Sequence, residues 1–427
     1  ALPIFSGSRE ALDDEVVKLT EVEQIREEID AALGIRVPLP SGGEVALEQV
    51  LDSKRIVDPD HYDQYLAAMR FSFSQPLMRG AGPDANFARI RLARVNRRIT
   101  QVRTKLAALR ILVDAEKAYW RLYAARKFFD VRVEQYRLAA EGLEMVRRRV
   151  AEGITPEVET VRAEVGVYRS LEKLIVAETD WRLRQRDLKR YLASEGFPLD
   201  GEETIEVATD PHLAGLEVDA EALVEQAIRT RPELIEAELR IVRDGVDIAY
   251  RQNQVLPIVN LDFQYGVLDR DDSFGSAWAS QFGFEHSDFS VGLSFEVPLT
   301  NQTPRAELRR AMLSRSLQMA SREARELVVR EEVLDMIDVM DQNWQRIIAA
   351  RQNVIVAGVN YDAESRQFRE GLRTMREVLE ALSDLGEARI REVRAIVEYQ
   401  VAQIDLAFAS GTLLGYARVG LESLRLP

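Results

Sequence analysis

The 427-residue chain contains no cysteine, so disulfides, thiolate catalysis and cysteine-based zinc sites are excluded. It has three histidines, His61, His212 and His286, all scattered outside the helical stretches. No HExxH, P-loop or GxGxxG stretch occurs, which leaves no signature for a metal or nucleotide cofactor. Ser170-Leu-Glu-Lys173 fits S-x-x-K, but it lies inside a helical pattern without companion motifs and reads as chance. No run approaches 18 consecutive apolar residues, so no transmembrane helix is expected. Basic charge is also short: 57 Lys and Arg against 71 Asp and Glu give a net charge of −14, which argues against a nucleic-acid partner.

What is present is helical periodicity of unusual length. Thr303-Pro304 opens a run with a hydroxyl N-cap and a proline at the first helical position. Apolar residues then recur at helical spacing through Val333, Met340, Trp344, Ile347, Val354, Val359 and Phe368. The roughly 67 residues to Glu370 would make a rod of about 100 Å. A tight turn, Gly371-Leu372-Arg373-Thr374, leads into a returning helix to about residue 410. A second hairpin runs from Asp84 to Ala151, turns at Glu152-Gly153-Ile154-Thr155, and returns from Pro156 to Ala193. Rods this long cannot bury an apolar stripe in a compact domain, so they must lie against other long helices.

The two hairpins look like copies. Each follows an alternating segment ending in Pro-Leu, at Pro76-Leu77 and Pro298-Leu299. These prolines stand 222 residues apart and the turn glycines 218, the difference matching the extra Ala81-Gly82-Pro83-Asp84. Leu2-Pro3-Ile4 and Leu256-Pro257-Ile258 form another matching pair. The expected organisation is repeat 1 over 1–195, an inter-repeat equatorial linker over 196–218, repeat 2 over 219–411, and a C-terminal equatorial tail over 412–427. Repeat 2 carries a helix over 219–255 that has no counterpart before residue 1, so the sequence reads as N-terminally shortened, with any export signal or lipid anchor upstream.

Four strands are expected, over about 1–6, 65–77, 256–267 and 287–299. The three longer ones alternate apolar and polar, for example Phe289, Val291, Leu293, Phe295 against Ser290, Gly292, Ser294, Glu296. Such strands suit a half-buried sheet or a barrel wall. Segment 7–61 reads as a surface-loop insertion with helix-like stretches such as Glu21–Leu33, and 268–287 reads as a polar loop containing aromatics.

In this order, and twice over, these features resemble the TolC-like outer-membrane efflux proteins. The resemblance rests on Arg231-Pro232-Glu233-Leu234, Leu256-Pro257-Ile258, Phe289–Leu299 and Phe368–Glu380. It covers nearly the whole chain except 7–61. It implies a mainly α fold with a membrane β-barrel: a homotrimer with four strands per chain in a shared 12-stranded barrel, continued by a periplasmic α-helical tunnel. It also implies a passive exit duct in outer-membrane lipid, joined through a periplasmic adaptor (membrane fusion) protein to an inner-membrane pump of RND, ABC or MFS type, in tripartite efflux or type I secretion. No cofactor, metal site or catalytic residue is implied.

By the same resemblance, Gly153, Ile154, Thr155, Gly371, Leu372 and Thr374 would present adaptor-binding turns, and Glu377 and Glu380 an acidic ring at the pore constriction. Six carboxylates from three chains favour cations, and their crowding should raise their pKa values. Arg373, Glu157 and Phe368 would latch the closed tip. Locally, Thr374-Met-Arg-Glu377 also reads as a capping box, and glycine with a following hydroxyl is good chemistry for any helical turn. An alternative from another class is a soluble coiled-coil scaffold whose strands pack dry in a small sheet.

Overall fold

The computed structural model describes residues 6–10, 25–57, 62–192, 198–199, 201 and 203–417; at 6–10, 25–28, 54–57 and 62–64 it describes the backbone alone. The chain forms two compact units, one of residues 1–98 and 239–319, the other of 99–238 and 320–427.

The first unit holds a six-stranded antiparallel sheet in sequential order: β1 (Ser6–Glu10), β2 (Ile25–Pro38), β3 (Glu44–Val57), β4 (Tyr62–Pro76), β5 (Ile258–Asp271) and β6 (Ser287–Glu296). Phe73 pairs with Val45 on one side and Phe263 on the other, and Phe71 with Leu47 and Tyr265. Directly opposed residues share a face, so the apolar positions of β4, β5 and β6 make one continuous surface. Among the described residues six strands replace the expected four. Within 7–61, what reads as a loop with a helix over 21–33 is strand wherever it is described, and Ile25–Leu33 belongs to β2. Ile29, Ala31, Leu33, Ile35 and Val37 alternate with Asp30, Ala32, Gly34 and Arg36, and pairing with β3 along its whole length enforces that period over the local helix propensity of the acidic run. Of the first expected strand, residues 1–5 lie outside the described residues.

The expected loop over 268–287 is partly ordered. β5 continues to Asp271, and a short helix (Phe274–Ser280) and a 3-10 turn (Gln281–Gly283) follow. The Ser273 hydroxyl caps that helix by accepting from the Ser276 N–H at 3.2 Å.

The helices, in chain order, are α1 (Pro83–Asn86), α2 (Ala88–Ala151), α3 (Val158–Leu192), α4 (Ala220–Thr230), α5 (Pro232–Gln254), α6 (the Phe274–Ser280 helix), α7 (Gln302–Arg369), α8 (Met375–Ala409) and α9 (Leu413–Tyr416). No helix among the described residues is long and apolar enough to cross a membrane. α2 and α7 have 64 and 68 residues, and α3 and α8 have 35 each. The single helix expected over 219–255 is two. Pro232 has no N–H to donate and forces Arg231 into an extended conformation, φ −65° and ψ 127°, which ends α4. Of the tail, 418–427 lie outside the described residues.

In the second unit α8 is the most deeply buried helix. Tyr399, Met340 and Ile347 centre one cluster, with the Tyr399 hydroxyl donating to the Ala214 carbonyl at 2.6 Å and so pinning the connector before α4. Where α2 crosses α8, Gly386 lacks a Cβ that would fall 1.7 Å from the Gln135 amide. Gln135 instead donates to the Leu382 carbonyl at 3.0 Å. Beside it Glu387 meets Arg132 at 2.8 Å and Lys173 at 3.5 Å. Burial pushes the Glu387 carboxyl upward, but these two cations outweigh it and hold it below the usual range.

Candidate functional site

Both long hairpins close with the same backbone device. At the first turn the Gly153 N–H donates to Val150 O at 2.9 Å and the Ile154 N–H to Arg149 O at 2.9 Å. At the second, Gly371 donates to Phe368 O at 3.0 Å and Leu372 to Gln367 O at 2.9 Å. These six-to-one and five-to-two bonds are Schellman motifs, and they need a left-handed residue. Gly153 and Gly371 supply it with φ of 73° and 78°. The residue after each glycine is held outward: Ile154 is 60% exposed and Leu372 71%.

The two turns are brought to one end of the second unit. Arg149, the third residue from the end of α2, reaches both. Its Nε donates to Thr155 Oγ1 at 3.2 Å, its Nη1 to the Arg369 carbonyl at 2.6 Å, and its guanidinium lies 5.4 Å from the centre of the Phe368 ring. Phe368 is buried with Leu143, Val146, Ala163, Met375 and Val378, so it forms the packed floor under both turns. Glu159, buried in the first turn of α3, accepts from the Met375 N–H at 3.1 Å and thereby caps α8 from the other hairpin. Arg162 pairs with its second oxygen.

Glu377 sits over the second turn. Its Oε2 accepts from the Thr374 N–H at 2.7 Å and the Thr374 hydroxyl at 3.0 Å, and its Oε1 from Arg373 at 2.8 Å. The Thr374 N–H, then Arg373 and the Thr374 hydroxyl, hold its carboxyl below the usual glutamate range. Within one chain this is the reverse of the upward shift expected from crowding. Glu380, one helical turn on, is exposed on the wall of the cleft between α3 and α8. Arg373 folds back on its own hairpin, reaching Gln367 at 3.0 Å and Glu364 at 3.4 Å. Glu157 is exposed and has no ion pair among the described residues. Inside the chain, therefore, Arg373 and Glu157 do not meet. Arg149 and Glu159 make the tie, and only their residue types in the first hairpin hinted at it.

Two long helical hairpins thus end in matched glycine turns tied to each other by Arg149 and Glu159. Residues 223–412 match the family model described as outer membrane efflux protein. The chain is 24% identical over 314 residues to outer membrane protein TolC of Vibrio cholerae, covering 71% of this chain and 68% of that protein. It is 26% identical over 223 residues to outer membrane protein TolC of Escherichia coli K12, where the match spans 48% of this chain and less than half, 44%, of that protein. The fold is that of the Campylobacter jejuni CmeC outer membrane channel, with a TM-score of 0.67 at 12% identity, covering 91% of this chain and 78% of that one. Residues 223–412 thus carry the outer membrane efflux protein domain, and over about 70% of its length the chain is similar to a TolC outer membrane protein.

Proposed function

We propose that three copies of the chain close into one tube and act as the passive exit duct of a tripartite efflux or type I secretion system. The observation that carries this is the amphipathic sheet, whose outer strands β1 and β6 are each paired on one side only. An open strand edge is not tolerated in lipid, so sister chains must supply the missing partners and close the barrel. The long helices then need neighbours of the same kind, which a ring of hairpins provides. The near-equal hairpins support an origin by duplication, with 1–195 and 219–411 as the two repeats.

In this reading the turns face a periplasmic adaptor. Ile154 and Leu372 are its apolar contacts, and Gly153, Thr155, Gly371 and Thr374 shape the surface. An inner-membrane pump of RND, ABC or MFS type delivers cargo through that adaptor. Glu377 and Glu380 from three chains form an acidic constriction that favours cations, with Arg373 and Phe368 holding each second turn in place and Glu157 free to pair across a chain boundary. The test is to image the particle purified in detergent and to record it in planar bilayers. A threefold particle that conducts, and whose cation preference falls in the Glu377→Gln, Glu380→Gln double variant, supports the duct. A monodisperse monomer or dimer that stays in solution without detergent would replace it with the coiled-coil scaffold.

A further inference from the structure

Resting on that barrel reading, we infer that β2 and β3 are not an appendage outside the membrane but part of its wall, with lipid acyl chains covering their apolar face. Each chain then contributes six strands, and three chains close a ring of eighteen rather than twelve.

Four observations converge on this. The first is length: β2 and β3 have 14 residues each, equal to β5, where about 9–11 suffice to cross a bilayer when tilted. The second is register. Val37 pairs with Val45, then Phe73, Phe263 and Val291, and one row up Ile35 pairs with Leu47, Phe71, Tyr265 and Phe289. The apolar surface of the recognised strands thus continues across β3 and β2 without a step. Ile35 is 68% exposed, as open as Phe289 at 75%, so nothing else among the described residues covers it. Gln49, the next residue of this face on β3, is polar but covered: its amide donates to Gln281 Oε1 at 3.0 Å, beneath the aromatic helix α6.

The third observation is the opposite face, which carries charged and polar pairs toward the helix end of the sheet. Arg36 pairs with Glu44 at 3.0 Å, Arg70 lies 3.8 Å from Glu48, and the Ser74 hydroxyl donates to Asp262 at 2.6 Å. A polar face backing an apolar one is what a wall between water and lipid requires. The fourth is the turn between the strands. The Leu39 N–H donates to Gly43 O at 2.7 Å, the Ser41 carbonyl accepts from Gly82 at 2.8 Å, and the Ser41 hydroxyl donates to Gln75 at 2.7 Å. The hairpin therefore returns at the helix end of the sheet, beside Pro76, and spans the same height as β4. With six alternating strands, β1 and β6 run in opposite directions, so the edges of adjacent chains can pair antiparallel. Barrel diameter grows roughly in proportion to strand number, so the bore would be about one and a half times that of a twelve-stranded ring.

The chain's lack of cysteine makes the test direct. Single cysteines at Ile35, Leu47, Arg36 and Glu48 are labelled with an environment-sensitive fluorophore, and the protein is reconstituted in vesicles containing nitroxide lipids. Phe71 and Phe289 on β4 and β6 serve as references. Quenching several-fold stronger at Ile35 and Leu47 than at Arg36 and Glu48, and matching the references, is the expected result. Weak quenching at all four with strong quenching at Phe71 and Phe289 overturns the inference and leaves the barrel reading standing. Weak quenching at the references as well overturns both. An image of the trimer resolving twelve strands in the ring would also end the proposal.

Discussion

The two helical turns share a backbone and differ in how their side chains are spent. In the first, the hydroxyl of Thr155 faces back to Arg149 on α2. In the second, Thr374 faces forward and is gripped by Glu377 of the helix it opens. Arg149 and Glu159 of the first hairpin reach across to a carbonyl and an N–H of the second. Identical hydrogen-bonded turns thus take unequal parts: the first hairpin lends its groups, and the second has its helix ends satisfied by a neighbour. The start of α8 is held twice, from inside by Glu377 and from outside by Glu159, whereas the start of α3 has no such double hold among the described contacts.

The contrast is most severely tested at the floor. Phe368→Ala should cost about 3–5 kcal/mol through the cavity it leaves. Because Phe368 packs against Val146 and Ala163 as well as Val378, hydrogen exchange should accelerate at both turns. Acceleration at the second turn alone would show that the floor is not shared. Glu159→Ala leaves the buried Met375 N–H unpaired, worth about 1–3 kcal/mol, and should loosen residues 375–378 while sparing 153–155. Equal loosening of both turns would refute the one-way support. Gly153→Ala and Gly371→Ala should each cost about 1–2 kcal/mol, since both force a side chain into the left-handed region. A large difference between them would break the backbone equivalence.

The remaining effects are smaller. Arg373→Ala removes exposed pairs worth about 0–1 kcal/mol, yet it should raise single-channel conductance by freeing the second turn. Unchanged conductance would remove Arg373 from the latch. Because Glu377 is held low in the folded chain, its contribution is complete above the ordinary glutamate value of about 4.3 and is lost as pH falls through its lower folded value. Exchange at residues 374–378, corrected for its intrinsic pH dependence, should stay level from neutral pH to about 5 and rise below about 4. The Gly153 turn, with no such carboxylate, should show no matching step.

Much of this was legible in the sequence. The long apolar period marked both hairpins, and glycine followed by a hydroxyl marked both turns within a residue or two. The capping role of Glu377 was readable because its partners lie three and four residues away. Arg149 and Glu159 were not, since their partners stand 220 and 216 residues off and depend on how the hairpins pack. β2 and β3 were missed for another reason: Glu27, Glu28 and Asp30 gave the segment a helical, solvated look, and its alternation acquires meaning only beside β4. The break before Pro232 is visible in the Arg231-Pro232 dipeptide itself, although the helical period on either side of it favours one continuous helix.

That break has a bearing on where the second unit yields first. Arg231 is buried at the joint between α4 and α5, salt-bridged to Glu233 and Glu332, with its guanidinium 6.0 Å from the centre of the Phe408 ring. Removing it would leave the largely buried Glu233 carboxylate without its cation, so this elbow is firmly held. The turns, by contrast, are fastened by a few bonds at an exposed extremity. Local opening of the second unit is therefore expected to begin at the turns rather than at the elbow.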